Sequence, residues 1–223
     1  SEARFPVQPI LQSMAAQLYD QYLSQNYWRI QNRTEVVESN NEDMETWTIA
    51  QLLAKSSELY QKSIESEDLQ RIKTEDFKAI LTEGKESEGL RPTLYDVLVF
   101  RALDHFTNER SYLTQPANKF YIDNERAFAQ PKGFVETKFE TETETSFKYQ
   151  TLLLFQKVIA FQLQDEDPSA LIDDNLKRLK FVHQNAILGE KDELYLAALD
   201  EVIKDYTDNP MTAEAYHQKA QFY

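Results

Sequence analysis

The stretch GLRPTLYDVLVFRALDHF, residues 89–106, decides the fold. It holds Asp96, Arg101, Asp104 and His105, residue types that recur in active sites, among Leu, Val, Phe and Tyr. At 100° per residue, Leu94, Tyr95, Leu98, Val99, Ala102, Leu103 and Phe106 cover about half of a helix circumference. Asp96, Arg101 and Asp104 fall on the other half, with Val97 and Phe100 between them. A helix apolar on both sides is covered on both sides, so the stretch reads as a core helix. Thr93 followed three residues later by Asp96 has the form of a capping box. Arg101 and Asp104, three apart, are placed to pair. His105 sits at the edge of the apolar arc. Asp104 points about 100° away from it, so the two are not a ready acid–base pair.

Outward from this helix the chain keeps the same period. Apolar residues recur at Leu11, Met14, Ala15, Leu18 and Tyr22, and less cleanly at Tyr19 and Leu23, which predicts a first helix running to about Trp28. Residues 31–43 are polar and read as a loop. Thr48 is placed to cap a second helix with a stripe of Ile49, Leu52, Leu53, Leu59, Tyr60 and Ile64. EDLQRIKTEDFKAIL, 67–81, reads as one or two short helices, and Gly84 and Gly89 bracket a polar link. Helices resume over 146–165, after Asp167-Pro168, from Asp192, and after Asn209-Pro210. Between the two helical blocks, residues 111–145 contain Pro116, Pro131, Gly133 and the run ETETET. They read as a long irregular crossover with room for a short strand; a connection of that length has a role of its own or lacks order.

Six to eight helices joined by short polar turns predict an all-α fold, a helical hairpin array of tetratricopeptide-like or α-solenoid-like type. Tyr195, Ala198, Leu199, Ile203, Tyr206, Pro210, Ala213, Ala215, Tyr216, Ala220 and Tyr223 resemble one divergent tetratricopeptide-like repeat. We expect one all-helical domain over 1–223, a fragment of a longer protein, with a sub-boundary within 107–146.

Composition narrows function. Only 4 Gly and 7 Pro in 223 residues argue against sandwiches and barrels, which need many turns. The formal net charge of −14 disfavours nucleic acid and anionic membrane surfaces. No Cys is present, which removes thiolate metal sites and a Cys nucleophile. No stretch approaches the roughly 18 apolar residues of a membrane span. The three His, His105, His183 and His217, do not assemble a metal motif: Glu214 and His217 form one Glu-x-x-His, but Lys180 stands three before His183. Gly-x-Ser-x-Gly and Gly-rich phosphate loops are missing. ETETET, 140–145, lacks the central Gly of a calcium loop and reads as solvated. These readings give no catalytic, cofactor-binding or metal residue, and no cofactor.

QLYDQYLSQNYWRIQNRTEV (17–36), NEDMETWTIAQLL (41–53), LRPTLYDVLVFRALDHF (90–106), PANKFYID (116–123) and ALIDDNLKRLKFV (170–182) together resemble the N-terminal helical region of large bacterial alpha-2-macroglobulin-like proteins. The resemblance implies a periplasmic or outer-membrane-associated parent that traps proteases. In it this region would precede β-sandwich domains and act as a non-catalytic scaffold or interaction module. Its partners would be other domains of the same parent chain, proteases or other periplasmic proteins. Many such parents use a Cys–Gln thioester; without Cys, no thioester residue carries over to this chain. A second expectation is a tetratricopeptide-like outer-membrane lipoprotein domain binding glycans or peptides, with Trp28 and Trp47 as platforms.

Overall fold

The computed structural model describes residues 4–33, 43–81, 89–108 and 119–223. Among them the secondary structure is helical: eight α-helices, several 3-10 turns and two isolated β-bridges. The all-α expectation holds. The chain forms two compact units. The first comprises Ser1–Thr82 and Pro92–Gln115, the second Glu83–Arg91 and Pro116–Tyr223.

The first unit contains α1 (Val7–Ile30), α2 (Ile49–Ser63) and α3 (Leu94–Thr107), each packed on the other two. Two of these helices start where the sequence places their caps. Thr48 Oγ1 accepts from Gln51 N–H at 3.3 Å while Gln51 Oε1 accepts from Thr48 N–H at 2.9 Å. Thr93 and Asp96 repeat the arrangement for α3, at 3.3 and 2.9 Å. Each box satisfies two donors that a helix start leaves orphaned. The 67–81 region forms 3-10 turns at Glu67–Arg71 and Thr74–Phe77. Its backbone bonds to the entry of α3: Leu94 N–H to Ile72 O at 2.8 Å and Thr74 N–H to Pro92 O at 3.0 Å. Leu94, Leu98, Ala102 and Phe106 are all buried, so they form the rib the periodicity implied.

The orientation of α1 departs from its pattern. Its buried positions are Pro9, Ser13, Ala16, Leu23 and Ile30. Val7, Leu11, Met14, Leu18 and Trp28 are exposed. Of the stripe that predicts the helix, Leu11, Met14 and Leu18 therefore face outward, Ala15, Tyr19 and Tyr22 are half-buried, and Leu23 is inside. Small residues at Ser13 and Ala16 are the physical reason, because they let α1 approach its neighbours closely.

In the second unit α4 (Pro131–Glu136), α5 (Phe147–Gln162), α6 (Ser169–Asn185), α7 (Lys191–Asp205) and α8 (Thr212–Phe222) each pack on the next in the chain. Helix α6 is the centre. Ala170, Leu171, Ile172, Leu176, Leu179, Phe181 and Val182 are buried, and so are Asp173, Asp174, Asn175 and Arg178. Its start follows the sequence closely, with Asp167 accepting from Ser169 N–H at 2.9 Å. In α8 the inner stripe is Thr212, Ala215 and Gln218. Tyr216 and Tyr223 point outward, so the repeat-like pattern at the C-terminal end is only half turned inward.

The crossover also differs from expectation. Residues 111–118 lie outside the described residues. Over 119–145 the chain forms a 3-10 turn at Glu125–Phe128 and helix α4, with no strand among the described residues. Ile122 O accepts from Ile187 N–H at 3.0 Å. Gln156 Nε2 on α5 donates to Phe134 O at 2.8 Å and Thr137 O at 2.7 Å, closing the end of α4. Fully buried Arg178 fixes the middle of this segment. Nη1 donates to Ala127 O at 2.6 Å, Nη2 to Ala129 O at 2.9 Å, and Nε to Asn175 Oδ1 at 3.1 Å. The guanidinium lies 4.4 Å over the Phe134 ring. Burial pulls its pKa down, and it stays a charged guanidinium. Glu140, Glu142 and Glu144 are exposed, as a solvated run requires.

No helix is long and apolar enough to cross a membrane among the described residues.

Candidate functional site

His105, on α3, joins two partners that come from other helices. Its Nδ1 lies 2.9 Å from Asp20 Oδ2 on α1, and its Nε2 lies 2.8 Å from Ser57 Oγ on α2. A carboxylate only accepts, so in the neutral imidazole the proton sits on Nδ1 and Nε2 accepts from the Ser57 hydroxyl. This is the connectivity of a serine–histidine–aspartate triad. The imidazole is almost wholly buried. The Tyr60 ring lies 4.9 Å from it, and Phe106 meets it edge-on at 4.8 Å. Burial first, and then the Asp20 charge, push the Tyr60 phenol up to about 12, which keeps it protonated.

Connectivity alone does not make a hydrolase. Acyl transfer needs preorganised donors around the developing oxyanion, and in α/β-hydrolases the nucleophile sits on a sharp turn that exposes it. Ser57 instead lies in the middle of α2, where each N–H is committed to the carbonyl four residues back. The array has another consequence: it ties three helices together through one imidazole. Arg101 adds a second tie. Its Nε donates to Ser13 Oγ at 2.7 Å, and its Nη2 to Gln17 Oε1 at 2.9 Å and Ser13 O at 3.3 Å. The expected partner was Asp104, three residues on; the ties described run to α1 instead, because its small residues bring its backbone within reach.

The other singled-out residues are held separately. His183 bonds Asp192 Oδ1 at 2.7 Å and stacks on Tyr195 at 4.4 Å. His217 meets Gln221 at 2.9 Å, while Glu214 accepts from Gln218 at 3.0 Å. Among the described residues no three His, Cys, Asp or Glu side chains are grouped to hold a metal ion. Trp47 stacks on Tyr19 at 5.6 Å with the rings nearly parallel. Trp28, by contrast, is 81% exposed, with Tyr27 edge-on at 5.7 Å.

Trp28 belongs to the outer face of α1, where Val7, Leu11, Met14 and Leu18 are each roughly half exposed. Between Phe5 and Trp28 the sole charged residue is Asp20, and it is turned to His105. In a chain with 28% charged residues, this solvent-facing surface is uncharged: Val7, Leu11, Met14, Leu18 and Trp28 share it with exposed Gln21 and Gln25. The sequence marks Leu11, Met14 and Leu18 as part of a helical stripe with no exposure assigned, leaves Val7 out of it, and offers Trp28 as a platform of the second expectation. Asp20 and Ser57 are missed altogether, since nothing local marks them. No protein-family model, curated protein or solved structure matches the chain.

Proposed function

We propose that this chain is a non-catalytic helical interaction module. The observation that carries the reading is the outer face of α1, an exposed apolar strip without charge. Exposed apolar surface of this extent marks a docking site more often than a solvated face. Among the described residues, the cluster with catalytic connectivity, Asp20–His105–Ser57, bonds α1, α2 and α3 to one another, which supports a holding role. The stretches resembling the N-terminal helical region of alpha-2-macroglobulin-like proteins support a place on the N-terminal side of a large periplasmic protease inhibitor. There its partners would be the other domains of the parent chain, proteases or periplasmic proteins. A fluorophosphonate probe tests the non-catalytic part. The purified chain stays unlabelled and turns over no ester, peptide or glycoside; phosphonylation of Ser57 would overturn the reading.

One observation favours a second reading. Trp28, 81% exposed beside Tyr27, offers an aromatic platform of the kind that glycan-binding, tetratricopeptide-like lipoprotein domains use. Calorimetric binding to a glycan that Trp28→Ala abolishes would move the assignment there.

A further inference from the structure

The exposed residues of α1 have a rhythm. Val7, Leu11, Met14 and Leu18 are spaced four, three and four apart. Continuing three, four and three leads to Gln21, Gln25 and Trp28. This is the seam of a two-helix coiled coil, with two neutral amides among five apolar positions. The buried stripe of the same helix, Pro9, Ser13, Ala16, Leu23 and Ile30, is offset by two residues and so lies on the opposite side. The seam is therefore additional to the packing of the first unit.

The chemistry of the strip restricts what covers it. Phosphates and anionic lipid heads need Lys or Arg, and α1 carries only Arg29, at its last turn. The occupant must be apolar and uncharged over the length of the helix, about 36 Å. A second copy supplies such a surface, and a two-fold axis makes it self-complementary. The area suffices. Val7, Leu11, Met14, Leu18 and Trp28 are 44% to 81% exposed; at about 200 Å² per large side chain they offer roughly 600 Å² per copy, or about 1,200 Å² for a pair, the lower bound of standard specific interfaces. Charge explains why the strip is kept neutral. Each copy carries a net −14, and an interface free of carboxylates holds that repulsion at a distance.

We propose that the outer face of α1 pairs with the same face of a second copy of this chain. The proposal rests on the interaction-module reading and names its partner. Because the remaining electrostatics are repulsive, association strengthens as salt rises, opposite to an interface built on ion pairs.

Sedimentation equilibrium of the whole chain at tens of micromolar tests it. The expected mass is twice the 26.1 kDa of one chain, with a tighter dimer at about 0.5 M than at about 0.05 M salt. Leu11→Glu with Leu18→Glu yields 26.1 kDa with an unchanged far-UV spectrum. Gln21→Glu, which removes no apolar atom, weakens the dimer at least about tenfold. A monomeric wild type at every salt concentration, or a dimer indifferent to both variants, overturns the pairing. The outcome is separable from the function it rests on: a monomer that the fluorophosphonate leaves unlabelled removes the pairing alone, whereas labelling at Ser57 removes the non-catalytic reading.

Discussion

The two compact units solve the same problem with opposite choices. In the first, α1 turns Ser13 and Ala16 inward, and polar side chains from α3 reach across to it: His105 to Asp20, and Arg101 to Ser13 and Gln17. Val7, Leu11, Met14, Leu18 and Trp28 are left outside, and of its large apolar residues Leu23 and Ile30 are buried. In the second, α6 turns its large apolar residues inward, and a single guanidinium, Arg178, fixes the neighbouring segment by its backbone carbonyls. The comparison shows that the buried face of a helix is not decided by its apolar count alone. Where small residues permit close approach, polar bonds hold the contact, and the apolar residues are free to serve another surface.

Core truncation gives the largest expected effect in the first unit. Leu98 is 2% exposed on the rib of α3. Leu98→Ala costs about 2–5 kcal/mol through lost transfer energy and the cavity left behind. The counterpart in the second unit is polar. Arg178→Met keeps the bulk but leaves Ala127 O, Ala129 O and Asn175 Oδ1 without their donor. Relief from desolvating a charge offsets part of that loss, so the net cost is about 3 kcal/mol. Urea unfolding measures both. Hydrogen exchange in Glu125–Glu136 separates them, since it rises sharply in Arg178→Met and little in Leu98→Ala. If Arg178→Met costs under about 1 kcal/mol, the guanidinium does not hold that segment and the contrast between the units fails.

A smaller effect sharpens the contrast inside the first unit. His105→Ala removes both bonds of the array and leaves Asp20 and Ser57 without their shared partner, which costs about 2 kcal/mol. Ser57→Ala removes only the hydroxyl that donates to the ring and costs about 1 kcal/mol. If the array ties the helices, the double variant costs scarcely more than His105→Ala, because both changes break the same bond. Simple additivity in thermal melts would show that the Ser57–His105 contact contributes nothing to holding α2 on α3.

What the sequence conveys follows from the range of each interaction. Helix positions and the Thr48 and Thr93 caps depend on neighbours three and four residues away, and these are legible. The partners of His105 lie 85 and 48 positions away, on two other helices, and no local pattern marks them. The distant targets of Arg178, Ala127 O and Ala129 O, are backbone carbonyls, which carry no residue signature at all. Which face of α1 is buried is not legible for a related reason. Periodicity reports that apolar residues share a side, and burial depends on what the opposite side can approach.

High pH gives the smallest effect and a direct comparison of the units. In the first, burial and then the Asp20 charge raise Tyr60 from 10.0 to about 12. Between these values the unfolded chain ionises first and holds fewer protons, so stability falls as pH rises. Lys62, raised by its bond to Glu58, acts in the same direction above its ordinary value. In the second unit Tyr195, also raised by burial to about 12, Tyr206 and Lys219 do likewise. Lys148 opposes them: burial lowers it, so above its lowered value it is neutral when folded while the unfolded chain still holds the proton, and stability rises with pH. Arg178, bonded to Ala127 O, Ala129 O and Asn175 Oδ1, stays a guanidinium cation and adds no pH dependence. Tyr206 and Lys148 act in opposite senses, so the two units weaken together. Both Trp residues, Trp28 and Trp47, belong to the first unit. Trp28 is already exposed, so unstacking of Trp47 from Tyr19 supplies the shift in emission maximum. In urea at about pH 11, that shift and the loss of far-UV ellipticity, to which both units contribute, should both come at lower urea than at pH 7 and stay as close together as they are there. If the emission shift runs ahead at pH 11 alone, the first unit loses more stability on ionisation than the second.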